Sequence, residues 1–276
     1  MYRNDKNKKQ HRIMKKLLLT FVAIMAVAIM GNAKSTKLDI NGKFSGISVS
    51  GNIEVTYTPS TKVSAKVNAP EGVEVKASVV DNVLTLSSTG NAQGDIKVTI
   101  TGPALDAIST TGNAEVKVES PMNTTALAIS ATGDSEVKFV GVIASNVAVK
   151  ASGNSEVKFD ELMCENLALD CSGNAEADFG TLTGNVMAIN GSGNAEIDVK
   201  RIALDRLAVN CSGNAELEVA GQTNVITFNA SDSAHIDASA LAANGGSASA
   251  SGSAFIKCHV AGLNAVTSET ATIHNV

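Results

Sequence analysis

Between Leu167 and Phe179 the chain reads LALDCSGNAEADF. Leu167, Leu169 and Cys171 alternate with Ala168 and Asp170 up to a Ser-Gly-Asn break; Ala175, Ala177 and Phe179 alternate with Glu176 and Asp178 beyond it. A period of two places one set of side chains inside a sheet and the other outside, so each half predicts a strand. The pattern returns as TTGNAEVKV (110–118), ATGDSEVKF (131–139), ASGNSEVKF (151–159), GSGNAEIDV (191–199) and CSGNAELEV (211–219), then more weakly as ASDSAHIDA (230–238) and ASGSAFIKC (250–258). A third apolar column, Val142, Leu162, Leu182 and Ile202, recurs in the connectors. Three apolar sides in about 20 residues describe one coil of a solenoid in which each repeat buries its apolar face against its neighbours.

The predicted fold is therefore all-β: a right-handed parallel β-helix with a β-rich cap at its N-terminal end. Handedness follows from the general preference of parallel crossovers. Helical repeats need apolar residues three and four apart over ten or more positions, and SGN interrupts every such run. Upstream, residues 34–103 repeat less cleanly. FSGISVSGNIEVTYT (44–58) and STGNAQGDIKVTI (88–100) carry corners of the same kind. The intervening TKVSAKVNAPEGVEVKASVVDNVLTLSS alternates like hairpin strands joined at APEG and VDNV, as expected of a cap over the first coil. The coils themselves are expected over 104–276.

Residues 14–33, MKKLLLTFVAIMAVAIMGNA, begin with two lysines, continue through 14 uncharged residues and end on small ones. That is the pattern of a secretory signal cleaved after Ala33, so residues 1–33 are read as a leader, with Met14 as an alternative start. Removing them takes seven of 22 basic and one of 27 acidic residues, leaving 15 against 26 and a net charge near −11. An acidic exported chain is a poor partner for nucleic acid. The expected location is the periplasm, the cell surface or the medium.

Composition agrees with a stacked aliphatic core: there is no Trp, and aromatic residues make up 3% of the chain. Phe139, Phe159 and Phe179 share one inward column continued by Val199 and Val219, and the repeat-region phenylalanines are expected to be consumed by the core. Cys171 and Cys211 lie two coils apart, about 9.5 Å, beyond disulfide reach. Together with Cys164 and Cys258 they read as small buried hydrophobes.

The corner itself has a mechanical explanation. Gly133, Gly153, Gly173, Gly193 and Gly213 supply the positive φ that turning between sheets requires. Asn113, Asp134, Asn154, Asn174, Asn194 and Asn214, one residue on, can bond along the stack as amide ladders do. The spacing does not match the glycine- and aspartate-rich nonapeptide that binds calcium.

FSGISVSGNIEVTYT, followed by strands and then TTGNAEVKV-type corners, resembles the family called "putative auto-transporter adhesin, head GIN domain", over residues 40–230. The resemblance implies a secreted or surface β-helical protein of Bacteroidetes-type bacteria and no known activity. The repeats run almost to Val276, so a C-terminal membrane barrel is not expected within this sequence.

Candidate chemistry is confined to outward columns. Enzymatic β-helices gather acids and bases in a cleft built from long loops, whereas these coils are almost loop-free and His235, His259 and His274 show no Ser or Cys partner constellation. No catalytic residue and no cofactor are expected. Glu115, Glu136, Glu156, Glu176, Glu196 and Glu216 should stack at about 4.8 Å. Lys117, Lys138 and Lys158 offset the first three, but downstream their place passes to Asp178, Asp198 and Glu218. Glu176, Asp178, Glu196, Asp198, Glu216 and Glu218 then form a solvated acidic face or a weak Ca2+ or basic-partner site. Ala128, Ala148, Ala168, Ala188 and Ala208 form a small-residue stripe beside Asp170, Asn190, Asn210 and Asn229, suited to self-association or to a partner. The expectation is an adhesin-like binding module for a host or envelope protein or a glycan. An envelope scaffold with no specific ligand, and more distantly a glycan-processing β-helix, remain open.

Overall fold

A computed structural model of the chain describes residues 25–27, 36–89 and 94–276. The leader expected at 1–33 lies outside them except for β1 (Met25–Val27), which pairs antiparallel with Val75–Ala77. All regular structure among these residues is β, wound into a parallel solenoid of about eight turns.

The regular coils are the long ladders β12 (Ala126–Gly133), β13 (Glu136–Gly153), β14 (Glu156–Gly173), β15 (Glu176–Gly193), β16 (Glu196–Cys211), β17 (Glu216–Ala230) and β18 (His235–Ala250). They pair in parallel with like residues facing like: Phe139 with Phe159, Leu162 with Leu182, Asn190 with Asn210. Between β13 and β14 pairing lapses only at Val140/Asp160 and Ser145/Glu165, which are the second and third corners of the coil. Each coil therefore has three sides, as the apolar columns require.

Inside, Phe139, Phe159 and Phe179 stack nearly parallel, with centroids 4.8 Å and 5.3 Å apart. Rings at the strand repeat are held face to face by the backbone itself, and each covers the next from water. Where Ser135 and Ser155 replace the usual corner alanine, their buried hydroxyls are satisfied: Ser135 bonds Thr110, and Ser155 donates to the Ala131 carbonyl while accepting from the Ser152 amide.

The five corner glycines have φ between +72° and +83°. At Gly173 a Cβ would also stand 3.0 Å from the Gly153 carbonyl oxygen, so corner stacking excludes a side chain for a second reason. In the ASDSAHIDA copy Asp232 takes this place at φ +62° and accepts a hydrogen bond from the Gly213 amide. Aspartate is one of the few side chains that tolerates such a turn.

All four cysteines are free and buried. Burial pushes the thiols up, to about 12 at Cys171 and about 11 at Cys164 and Cys211, which keeps them protonated and unreactive. A thiol reagent is accordingly expected to label none of them until denaturant is added; rapid labelling of native protein would show that the column opens.

The N-terminal region departs from a simple cap. β3 (Gly46–Gly51) and β4 (Ile53–Pro59) form the two sides of a coil that flank its glycine corner, pairing in parallel with β9 (Ala107–Gly112) and β10 (Glu115–Val118). On its other side lie β7 (Val83–Thr89) and β8 (Ile96–Gly102), so the first coil in sequence is second in space. The true end is closed by antiparallel strands: β5 (Ser64–Asn68) on β8 and β6 (Glu74–Val80) on β7, with β2 (Thr36–Lys37) on β5. The expected hairpin at VDNV is present, with Asp81 and Asn82 both at positive φ. The hairpin expected at APEG is not, because β5 and β6 pair with different coil strands and Ala69–Val73 crosses from one side of the solenoid to another.

Candidate functional site

Two outward faces meet at the glycine corner, and they differ in chemistry. The face after the corner is charged. Glu54, Glu115, Glu136, Glu156, Glu176, Glu196 and Glu216 stand in one register column. Lysines neutralise its early part: two residues on, Lys117 pairs with Glu115 at 2.6 Å and Glu54 at 3.6 Å and Lys138 pairs with Glu136, while Lys97, in the column itself beside Glu54, pairs with it at 3.1 Å. The Lys97 bond holds Glu54 below its ordinary value, whereas burial raises Glu136 despite its lysine.

Lys158 sits where the column changes character. Its ammonium pairs with Glu156, with Asp178 at 3.0 Å and with Glu176 at 3.9 Å. The carboxylate oxygens of these three acids lie within 4.8 Å of one another, the spacing that could hold a metal ion, but the lysine already supplies the cation there. The six-carboxylate face anticipated from the spacing is thus reduced. Glu176 and Asp178 face Lys158, leaving Glu196, Asp198, Glu216 and Glu218 with no ion pair among the described residues. A long lysine reaches forward one rung, which residue order along a single coil does not reveal.

Past Glu216 the column continues as His235 and then Phe255. The expectation that every repeat-region phenylalanine is consumed by the core fails here: Phe255 is half-buried and outward, with the imidazoles of His235 and His274 at 5.0 Å and 5.4 Å. It occupies a glutamate position, so strand parity alone places it outside.

The face before the corner carries few charges, Lys150, Asp170 and Arg206 among its outward positions. Its first column is the alanine stripe Ala128, Ala148, Ala168, Ala188 and Ala208, in strict register and continued by Thr227 and Ser247. The second is an amide ladder: Asn190 donates to Asp170 at 2.7 Å, Asn210 to Asn190 at 3.0 Å and Asn229 to Asn210 at 2.9 Å. The third is a run of half-buried corner serines, Ser152, Ser172, Ser192, Ser212, Ser231 and Ser251. Around Asn190, Asn210, Asn229, Ser192, Ser212 and Ser231 the surface forms a shallow, open concavity of about 360 Å³.

At the corner, Asn154 donates to Asp134 at 2.6 Å, Asn174 to Asn154, Asn194 to Asn174 and Asn214 to Asn194. Asn113, expected as the first member, makes no such bond. Each amide donates toward the preceding coil, and a carboxylate has no proton to pass on, so the ladder stops at Asp134. Asp170 ends the second ladder in the same way, and Asp205 ends a third that alternation did not predict, Asn244 to Asn224 to Asp205. These ladders hold their amides at fixed spacing on a rigid face while keeping one oxygen lone pair and one N–H per residue for another molecule.

No helix among the described residues is long and apolar enough to cross a membrane. No curated protein matches the chain. Among solved structures, a protein from Parabacteroides distasonis described as a putative adhesin matches with a TM-score of 0.66 at 20% identity, over 89% of this chain and 98% of that one. Another so described, from Parabacteroides merdae, matches at 0.59 and 19%, over 92% and 96%. Both likenesses are of fold. The family model "Putative auto-transporter adhesin, head GIN domain" matches residues 43–199 and 163–275, and the chain belongs to that family.

Proposed function

We propose that the protein is an exported, non-catalytic binding module that presents its amide and serine face to a neutral, hydroxyl-rich glycan at or outside the cell surface. The observation that carries this reading is the concave run of amides and hydroxyls between Asn190 and Ser231, rigidly spaced and free of charge. Sugar hydroxyls both donate and accept, as do amides and serines, and a rigid face limits the ordering cost of binding. The alanine stripe beside it lets a flat ring approach the sheet closely. On the opposite side of the corner, Glu196, Asp198, Glu216 and Glu218 serve as a solvated acidic surface that keeps an exposed sheet soluble.

Binding to arrayed neutral and acidic polysaccharides tests this. Ser212→Tyr and Ser231→Tyr fill the concavity without removing a ladder amide and are expected to weaken neutral-glycan binding tenfold or more with unchanged melting. Glu196→Gln with Asp198→Asn should leave binding as it was. Loss of binding in the acidic-face variant alone would move the site there, and no binding to any glycan would favour a scaffold role.

A further inference from the structure

Of the three sides of the solenoid, the one opposite the glycine corner carries neither the glutamate column nor the amide face. It runs between the corners at Asp160 and Glu165 on β14 and between the matching positions of the other coils. Its charge changes from rung to rung. β14 presents Asp160, Glu161, Met163 and Glu165; β15 presents Gly180, Thr181, Thr183 and Asn185, with no charge. β16 presents Lys200, Arg201, Ala203 and Asp205, and Arg206 opens the next side. The rungs beyond, at 140–145 and 220–224, are neutral again. Acid and base therefore stand two rungs, about 9.5 Å, apart with a neutral rung between them.

These seven charges make no ion pair among the described residues, in contrast to the lysines of the glutamate column. Arg201 and Arg206 are also the only arginines beyond residue 33. The same side is the most apolar part of the surface. Of the eight large apolar side chains exposed among the described residues, five lie on it or beside its corners: Val140, Ile143, Met163, Val186 and Val225. Arginine and methionine are enriched where proteins meet, and exposed apolar groups that cluster mark such places.

We infer that this side binds a second copy of the chain about a two-fold axis lying in the interface along the β15 segment. Rotation about that axis keeps position along the strand and inverts the order of the rungs. Glu161 then faces Arg201 of the other copy and Asp160 faces Lys200, each contact occurring twice. At the far corner Glu165 meets Asp205 and Arg206, one charge of each sign, and Asp205 already accepts the Asn224 amide. Size matches as well as charge, since Met163 lies over Ala203 and Thr183 meets itself. An axis along the solenoid would instead set Glu161 against Glu165, like against like. A partner of one charge would match half of this side and be repelled by the other half; a second copy matches both. The contact is isologous and closes at two copies, with the glycine corner and its amide face on the far side of each.

Five rungs by six residues cover roughly 20 Å by 20 Å, or about 400 Å² per copy. A standard interface buries about 800 Å² per partner, so the expected dissociation constant is on the order of tens of micromolar at low salt. It should rise with ionic strength, because the charged contacts are open to screening.

Sedimentation velocity from low to several hundred micromolar protein tests the inference. The unaltered chain is expected to pass from monomer to twice its mass and no further, with association at least tenfold weaker at high salt. Glu161→Arg and Arg201→Glu each set like charges opposite one another at two contacts, and each alone is expected to weaken association at least tenfold. Both positions are exposed, so melting temperatures should stay unchanged. Mixed in equal amounts, the two variants restore opposite charges at both contacts, and the mixture should associate as the unaltered chain does. A monomer at every concentration, undiminished association in either single variant, or a mixture that stays monomeric would each overturn the inference.

Discussion

Phe159→Ala is expected to lower the unfolding free energy by about 3–5 kcal/mol. Phe159 is 1% exposed and lies between two rings, Phe139 at 4.8 Å and Phe179 at 5.3 Å, so truncation opens a cavity with aromatic walls on both sides. Parallel strands fixed in register cannot slide to fill it. Because each coil touches only its neighbours, the loss falls on two interfaces in the middle of the stack. Guanidinium unfolding should therefore show a lower midpoint and a transition that broadens or divides, as coils on either side uncouple. Phe159→Val should cost less than half as much, since Val199 and Val219 already fill this column downstream. A midpoint unchanged by Phe159→Ala would show that the stack does not hold the coils together.

Lys158→Met removes the one cation shared by Glu156, Glu176 and Asp178 and leaves three carboxylates within 4.8 Å of one another. The groups are partly exposed and screened, so the expected loss is about 1–3 kcal/mol at neutral pH and low salt. The pH dependence identifies the cause. The Glu156 bond raises Lys158 above its ordinary value, so its contribution is fully present below that value and lost only in strong alkali. Burial, with Asp178 and Glu156 nearby, raises Glu176. Its folded form therefore takes up a proton more readily than the unfolded chain, and Glu176 itself favours folding increasingly as pH falls through its raised value. In the variant this carboxylate repulsion is unrelieved, so the gap in melting temperature between variant and parent should be widest near pH 7 and close below about pH 4, the ordinary carboxylate range. A gap independent of pH would assign the loss to the packing of the lysine stem.

The outward columns show how far local pattern reaches. Alternation placed Glu176, Asp178 and the alanine stripe outside and Leu167, Cys171 and Phe179 inside, because side-chain direction in a strand depends only on parity. The amide ladders were legible for a similar reason: equal spacing in a stacked coil means contact. Their ends were not read, since Asn113 and Asp134 differ in hydrogen-bonding capacity rather than in position. Phe255 falls in the outward glutamate column, and there parity is a better guide than residue type.

The sequence by itself determined the coil: its period of about 20 residues, its three sides, and a glycine corner whose positive φ few other residues adopt. Those are properties of short segments repeated, and each segment carries its own instruction. Only the tertiary structure decided the order of the first coils, with Gly46–Pro59 slotted between Val83–Gly102 and Ala107–Val118. It also decided which carboxylates Lys158 takes, and that antiparallel strands cover the coil edge at the N-terminal end. Each of these depends on which strand lies next to which across tens of residues, and no local alternation encodes a neighbour.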